Sequence, residues 1–303
     1  MDGTRAPRSE RPGAVVRVAV HRVGAAAARG GPVDEVVAEE PLEIRVVPPG
    51  DGPAVPIAIT MRTPGHDFEL AAGFALSEQI VGAPAEIRGL RYCTAPGEEQ
   101  WFNVVDLELA RPFDPEAFRR NVYTSSSCGI CGRATLDRLR ATGLAPPRRG
   151  PSIDPNLLRG LPGALRSAQS LFARTGGLHA TGIARADGRF SVVREDVGRH
   201  NAFDKAVGRL ALDGALPASA TIAVVSGRAS FELVQKAVIA GIPALAAVGA
   251  PSHLAVALAR EFGILLVGFL RADGFTVYAG EDRLAAGRPA GTPAPSATAA
   301  DPG

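Results

Sequence analysis

In its second half the chain repeats a short apolar run, a loop of small residues and a stretch with helical spacing. TIAVVS leads through residues 226–228 into ASFELVQKAVIAG, and IPALAAVG leads through residues 250–252 into HLAVALAREFG. A further apolar run, ILLVGFL, ends at Arg271. Upstream, HATGIAR and FSVVRE flank residues 186–188 and predict a hairpin, which is followed by a predicted helix from Arg199 to Leu212. Strands that alternate with helices in this way predict a partly parallel sheet with helices on both faces.

The first half favours strands. Strand-like runs with β-branched residues and partial alternation occur at AVVRVAV, VVAEEPLEIRVV, VPIAITMR, RYC and WFNVVDLEL. One helix is predicted from Glu69 onward. Both ends are polar and rich in Pro and Gly, which predicts disorder. The predicted organisation is a disordered start, a β-rich α+β domain, an α/β domain and a disordered tail, at residues 1–13, 14–121, 122–285 and 286–303.

Composition argues against several classes of function. The 303 residues carry a formal net charge of +2, too small for electrostatic binding of nucleic acid. No apolar run approaches the roughly 20 residues that span a bilayer, and the polar N-terminal segment lacks the apolar core of a signal peptide. We therefore expect a cytoplasmic protein that acts on neither nucleic acid nor membranes.

The segment SSSCGICG places Cys128 and Cys131 three positions apart among serines and glycines. Such a loop exposes its thiols, and backbone N–H groups favour the reactive thiolate. The spacing fits a redox dithiol, half of a zinc site, or a cysteine that carries a transferable sulfur atom. A zinc site needs a second pair of soft ligands, but the only other cysteine is Cys93 and the five histidines are scattered. Sulfur chemistry is therefore favoured, and no metal ligand is predicted.

Three loops that follow the predicted parallel strands are candidates for ligand binding, because strand carboxyl ends meet helix N-termini there. Small residues let a phosphate approach the backbone, and Arg228 and Arg271 can hold phosphate oxygens. The loops predict a phosphorylated or nucleotide-bearing ligand, although ordinary turns with capping serines would have a similar sequence. The candidate residues are Ser226, Gly227, Arg228, Ser230, Gly249, Ser252, Phe269, Leu270, Arg271, Ala272, Asp273 and Gly274.

A second candidate is the dense polar segment REDVGRHNAFDK, with TGGLHATG just upstream of it. A surface network of ion pairs would have the same composition and would contribute little. The density of polar side chains favours a binding site instead. Its candidate residues are His179, Asp196, Arg199, His200 and Asn201.

Six segments of the chain, taken together, resemble the FdhD family of formate dehydrogenase accessory proteins. They are EEPLEIRV, SSSCGICG, TGGLHATG, REDVGRHNAFDK, VVSGRASFELVQKA and GFLRADGFTVYAG. The resemblance implies a sulfur carrier with sulfurtransferase activity. A cysteine desulfurase hands sulfur to a loop cysteine, and the resulting persulfide passes it to the molybdenum cofactor before insertion into formate dehydrogenase. The cofactor is the bis(molybdopterin guanine dinucleotide) form, Mo-bis-MGD, bound as the substrate of sulfuration.

The resemblance also assigns residues and architecture. Cys128 matches the persulfide cysteine, Cys131 matches the second thiol of the motif, and residues 269–274 match the cofactor-binding segment. The implied assembly is a homodimer. The implied fold class is α/β, with a cytidine-deaminase-like three-layer α/β/α domain beside the smaller β-rich domain.

Two other functions stay open on the residues alone. A CxxC thiol oxidoreductase would form a reversible disulfide between Cys128 and Cys131. A cofactor-binding chaperone would hold the cofactor, or the apo form of formate dehydrogenase, without transferring sulfur. Loss of Cys128 distinguishes the chaperone from a sulfur relay, because only the relay depends on that thiol.

Overall fold

The computed structural model describes residues 11–24, 31–50, 52–93, 100–116, 118 and 144–285. The strands of this part of the chain are β1 (Val15–Ala19), β2 (Val33–Val37), β3 (Glu40–Val47), β4 (Val55–Arg62), β5 (Ile87–Tyr92), β6 (Val104–Leu109), β7 (His179–Arg185), β8 (Phe190–Asp196), β9 (Thr221–Val225), β10 (Ala244–Ala247), β11 (Leu265–Gly268) and β12 (Thr276–Ala279). The α-helices are α1 (Asp67–Ser77), α2 (Pro155–Ala168), α3 (Ser170–Thr175), α4 (Arg199–Leu212), α5 (Phe231–Ile239) and α6 (His253–Glu261). Short 3₁₀ turns lie at Pro84–Glu86 and Glu281–Arg283.

The second half is built on a six-stranded sheet in the order β12-β11-β10-β9-β7-β8. Its centre is parallel, since β10 pairs in parallel with both β9 and β11, while β12, β7 and β8 join antiparallel. The predicted partly parallel sheet is therefore confirmed. The hairpin predicted at residues 186–188 joins β7 to β8, and the predicted helix from Arg199 to Leu212 is α4.

Helices cover both faces of this sheet because every central strand is apolar on both sides. Along β9, Ile222 and Val224 pack in a core with leucines of α2, whereas Ala223 and Val225 pack in another with residues of α4, α5 and α6. The prediction of helices on both faces is confirmed. The finer expectation of cytidine-deaminase-like layering stays a prediction.

The first half contains a hairpin, β1 with β2, and a four-stranded sheet in the order β4-β3-β6-β5. The helix expected from Glu69 is α1, which begins two residues earlier. It packs on α4 at very short range: a Cβ added at Gly73 would overlap the backbone of Asp204, and one at Gly208 would overlap the backbone of Glu69. Glycine is required at both positions for the two helix backbones to meet.

The largest core joins the two halves. It includes Val46, Leu76 and Leu107 from the first half together with Phe203 and Leu245 from the second. The predicted boundary between residues 121 and 122 lies outside the described residues, so the division into two domains stays a prediction. Among the described residues no helix is long and apolar enough to cross a membrane.

Two helices and one strand have no counterpart in the sequence analysis. Asp154 is the N-cap residue of α2, and its side chain accepts a hydrogen bond from the backbone N–H of Asn156. Pro155 occupies the first position of the helix. Pro162 lies inside the helix and disrupts the sequence pattern of a helix. Buried Leu158, Leu161 and Leu165 nevertheless hold it on the sheet. The other two elements are α3 and β12.

Candidate functional site

The three candidate loops converge at the carboxyl end of the parallel strands. The N–H of Gly249 donates to the carbonyl of Gly227 at 2.9 Å, and the N–H of Phe269 donates to the carbonyl of Gly249 at 3.1 Å. The N–H of Ser252 also donates to the carbonyl of Ala229 at 3.0 Å. These backbone bonds join the loops after β9, β10 and β11 into one surface.

Small residues are needed where the loops meet. A Cβ at Gly249 would lie 3.0 Å from the carbonyl oxygen of Gly227 and 3.0 Å from the Cγ of Arg228. The backbone N–H groups of Gly227 and Arg228 have no acceptor among the residues that the structure describes. The first loop can therefore present amide donors to an anion. Arg228 itself is exposed.

The loop after β11, residues 269–274, is held in a defined shape. Phe269 has a φ of 52°, unusual for a residue with a side chain, and 48% of its surface is exposed. Leu270 is buried. Arg271 turns back on the loops, donating from Nη1 to the carbonyl of Val248 at 2.6 Å and to that of Leu270 at 2.8 Å. The guanidinium thus ties two loops together.

The remainder of that loop faces solvent. Ala272 and Asp273 are exposed, and the carbonyl of Ala272 accepts a hydrogen bond from Arg159 of α2 at 3.1 Å. The carbonyl of Gly274 accepts from the N–H of Arg271 at 2.8 Å. This segment therefore forms a closed turn at the rim of the surface.

The N-terminus of α4 lies beside the first loop. No side chain caps this end of the helix, and its first turn contains Arg199 and His200 and no acidic residue. The Nε of Arg199 is buried and has no hydrogen-bond partner among the described residues. An uncapped helix end beside an unpaired guanidinium N–H favours an anion.

His200 links this helix to the first loop. Its Nε2 lies 3.2 Å from the hydroxyl of Ser230 and 2.6 Å from a carboxylate oxygen of Glu232. The hydrogen bond from His200 lowers the pKa of Glu232, against the opposing effect of burial. Ser230 and Ser252 are the N-cap residues of α5 and α6, and only Ser252 caps with its side chain, accepting from the N–H of Ala255.

His179 begins β7 and lies against the same loop. A Cβ at Gly227 would be 3.4 Å from its Nδ1. Burial, and then the positive charges of Arg199 and His200, lower the pKa of His179. Its imidazole is therefore neutral at pH 7 and can donate or accept one hydrogen bond at each nitrogen.

Asp196 and Asn201 lie behind this surface. Asp196 is fully buried, contacts the ammonium of Lys205 at 2.7 Å and accepts from the N–H of Thr63 at 3.1 Å. The Nδ2 of Asn201 donates to the carbonyl of Met61 at 2.8 Å and to Asp196 at 3.2 Å. Both side chains hold β4 and the chain that follows it against α4. Of the five candidates in and just upstream of the polar segment, His179, Arg199 and His200 lie beside the loops.

Sequence reasoning missed a cleft next to His179. Its lining includes Arg166 and Gln169 at the end of α2 and Phe172 of α3. The sequence analysis gives no prediction for these two helices, so their side chains could not be placed. Cys128 and Cys131 lie outside the described residues. Among the residues that are described, no group of three or more His, Cys, Asp or Glu side chains could hold a metal ion.

The sequence profile of the FdhD/NarQ family matches residues 37–285. The chain belongs to the FdhD/NarQ family. It is 53% identical over 262 residues to the sulfur carrier protein FdhD of Streptomyces avermitilis, covering 83% of this chain and 89% of that protein. It is 46% identical over 261 residues to the protein of the same name from Mycobacterium tuberculosis, covering 83% of this chain and 92% of that protein.

A solved structure shares the fold. The crystal structure of a protein described as a formate dehydrogenase accessory protein from Desulfotalea psychrophila aligns with a TM-score of 0.63 at 23% sequence identity. The alignment covers 84% of this chain and 92% of that chain. The mixed α/β fold of this chain is therefore shared with a solved structure.

Proposed function

We propose that this chain is a sulfur carrier for the maturation of formate dehydrogenase, and that Cys128 carries the sulfur as a persulfide. Its relatives at 46–53% identity are named sulfur carrier proteins. The CxxC loop supplies two thiols among small residues, the setting in which a thiolate is accessible and reactive. The proposed donor is a cysteine desulfurase.

The first step is a thiol exchange. The Cys128 thiolate attacks the outer sulfur of the desulfurase persulfide, a new S–S bond forms, and the desulfurase cysteine leaves as a thiolate with the electron pair of the broken bond. The outer sulfur then becomes a sulfide ligand of the molybdenum, which requires two electrons. The Cys131 thiol supplies them by forming a disulfide with Cys128, which a cellular thiol reductant must later reopen.

The proposed acceptor is Mo-bis-MGD, bound as substrate on the three converging loops. The observation that carries this part is the set of unpaired donors gathered there: the N–H groups of Gly227 and Arg228, and the buried Nε of Arg199 at the uncapped start of α4. Diphosphate groups of a dinucleotide cofactor suit such donors. Positioning a bulky cofactor near a persulfide favours transfer by proximity.

The proposal includes the partners and the setting. Sulfur passes from the desulfurase to this chain in the cytoplasm, and the sulfurated cofactor goes to formate dehydrogenase. The working form is a homodimer. Sedimentation velocity of the purified chain measures the assembly directly.

The test is intact-protein mass spectrometry after incubation with a cysteine desulfurase and cysteine. We expect a mass gain of one sulfur atom on the wild type and on Cys131→Ala, and no gain on Cys128→Ala. Formate dehydrogenase activity in cells should be lost with Cys128→Ala. With Cys131→Ala it should fall, because the second step loses its electron source.

Two results would contradict the relay. If Cys128→Ala still supports formate dehydrogenase activity, the protein acts as a cofactor chaperone whose thiols are incidental. If the wild type gains no sulfur and instead cycles a disulfide between Cys128 and Cys131 with a dithiol substrate, it is a thiol oxidoreductase.

A further inference from the structure

A small cavity lies at the amino end of the parallel strands, at the opposite end of the sheet from the converging loops. Thr221, which begins β9, and Pro243, which precedes β10, line it together with residues 150–153 of the loop before α2. Among the described residues of its lining, Arg283 of the last 3₁₀ turn carries the only charge. The cavity has a volume of about 20 Å³, which holds one occupant the size of a water molecule or a halide ion.

Arg283 is buried with part of its guanidinium unpaired. The residue is only 4% exposed. Its Nη1 donates to the carbonyls of Pro243 at 3.0 Å and Gly263 at 2.8 Å, which fixes the group just before β10 and β11. Its Nε and Nη2 are also buried, and neither has a hydrogen-bond partner among the described residues. The neighbouring carboxylate, Asp282, pairs with Arg149 instead.

Nε and Nη2 together form one edge of a guanidinium, and elsewhere in this protein that edge holds an anion. Arg62 donates from Nε and Nη2 to the two carboxylate oxygens of Asp67, at 3.0 and 2.9 Å. Arg174 binds Glu35 through the same two nitrogens, at 2.9 Å each. Two parallel N–H donors in a fixed plane are suited to an anion. Arg283 has the same edge and lacks the carboxylate.

The surroundings of Arg283 increase the need for a negative charge. Burial, and then the positive charge of Arg149, lower the pKa of Arg283, although Asp282 opposes them. The guanidinium nevertheless stays protonated at pH 7, because arginine does not lose its proton in proteins. A buried charge without a counter-charge is costly. An anion in the cavity would remove that cost.

Gly150 keeps the space beside the unpaired edge open. A Cβ at this position would lie 3.5 Å from Nη2 of Arg283 and 2.7 Å from the carbonyl oxygen of Ser219. Gly150 itself lines the cavity. The unpaired edge therefore borders the cavity, whose volume admits a single atom-sized occupant and excludes a phosphate group.

We propose that this cavity binds a chloride-sized monovalent anion on the Nε and Nη2 edge of Arg283. A water molecule could accept the same two hydrogen bonds, but it would leave the buried charge uncompensated, whereas chloride does both. The bound anion would stabilise the contact between the loop before α2 and the strand starts, since the carbonyl of Arg283 accepts from the N–H of Ile153 at 2.9 Å. This inference is independent of the proposed function.

The experiment follows thermal unfolding of the purified full-length chain while chloride replaces gluconate at constant potassium concentration. Gluconate is too large for the cavity, so ionic strength stays fixed and only the small anion varies. The variant is Arg283→Met, which removes the guanidinium. The matched control is Arg189→Met, which removes an exposed arginine outside the cavity and reports any general effect of the salt exchange.

We expect the melting temperature of the wild type and of Arg189→Met to rise with chloride, by about 2–5 °C for each ten-fold increase above the dissociation constant. Arg283→Met should melt at a lower temperature and show no such rise, because its anion site is gone. If Arg283→Met fails to fold, crystals of the wild type soaked in bromide provide the second measurement. Anomalous scattering should then show one bromide in contact with Nε and Nη2 of Arg283.

Three results would overturn the proposal. The first is a wild-type melting temperature that does not respond to chloride. The second is a response of Arg283→Met equal to that of Arg189→Met. The third is a bromide-soaked crystal with water, or nothing, beside the guanidinium. Sulfur loading of Cys128 is unaffected by any of these results, so the anion site and the sulfur carrier role are tested separately.

Discussion

Buried charges fix the junction between the two halves at the level of single residues. The side chain of Lys205 is 1% exposed, and its ammonium contacts Asp196 at 2.7 Å and donates to the carbonyl of Thr63 at 2.8 Å. Asp196 in turn accepts from the N–H of Thr63 and from the N–H of Gly198. A buried ion pair contributes little net stability compared with apolar residues, but removing one partner leaves an uncompensated charge.

We predict that Lys205→Met lowers the free energy of unfolding by about 3–5 kcal/mol, because Asp196 loses its counter-ion inside the protein. Urea denaturation measures the change. The matched control is Arg174→Met, which removes the exposed ion pair with Glu35 and should change the free energy of unfolding far less than Lys205→Met does. Equal effects of the two variants would contradict the structural role given to Lys205.

A second prediction concerns Glu69. Burial alone would raise its pKa, but hydrogen bonds from Arg194 and His66, with their positive charges, lower the pKa to about 2 from an ordinary 4.5. A lowered folded-state pKa gives stability that is fully present above pH 4.5 and is lost as the pH falls towards about 2. Glu69→Gln should therefore reduce unfolding free energy at pH 7 by about 1–2 kcal/mol, with partial solvation limiting the effect.

The same difference should shrink steadily between pH 4.5 and pH 3. Urea midpoints of wild type and Glu69→Gln, measured across that range, provide the check. Glu39→Gln, at an exposed position, is the control and should follow the wild type. A difference that stays constant with pH would show that the ionised carboxylate is not the source of the stability.

At the scale of elements, the contact between α1 and α4 carries the strictest steric requirement. The two helices belong to different halves of the chain and meet at Gly73 and Gly208, where neither could carry a methyl group without displacing backbone. Backbone atoms cannot relax as the end of a flexible side chain does. The helices must therefore move apart if either glycine is replaced.

We predict that Gly73→Ala destabilises the fold by about 3 kcal/mol or more, since its Cβ would overlap the backbone of Asp204. Gly163→Ala in α2 is the matched control, because a Cβ there meets nothing within 4 Å. The control should be neutral or gain about 0.5–1 kcal/mol from helix propensity. Thermal unfolding of both variants makes the comparison, and equal melting temperatures would contradict the close contact.

At the scale of the whole molecule, one hydrophobic core serves both halves. Leu107 of β6 and Leu76 of α1 pack in the same cluster as Phe203 of α4 and Leu245 of β10. Apolar contact of this kind makes the stability of one half depend on the other. The loops after β9, β10 and β11 follow strands whose residues Val225, Ala247 and Leu266 pack in this shared core.

We therefore predict a single cooperative unfolding transition for the chain. In differential scanning calorimetry, the ratio of calorimetric to van't Hoff enthalpy should be near one. Tryptophan fluorescence and circular dichroism should follow the same unfolding curve. Gly73→Ala should move the whole transition to lower temperature. Two separated transitions would favour independent domains divided near residue 121.

The sequence by itself determined the elements whose patterns are local. Runs such as TIAVVS and IPALAAVG, separated by small-residue loops, predict parallel strands, and their loops must meet at one edge because parallel strands end there. The same reasoning correctly identified α4, the hairpin of β7 and β8, and the convergence of the three loops. These outcomes follow from periodicity and strand direction alone.

Only the tertiary structure decided which polar residues lie beside the converging loops. Asp196 and Asn201 lie in the same dense segment as Arg199 and His200, but they turn inward to hold β4, as the fold of the first half requires. At the start of α3, Glu195 accepts a hydrogen bond from the N–H of Phe172, although 23 positions separate the two residues in the sequence. A polar side chain either bonds to other parts of the fold or stays available to a ligand. Which of the two occurs depends on the residues that folding brings together, and no local sequence pattern encodes those contacts.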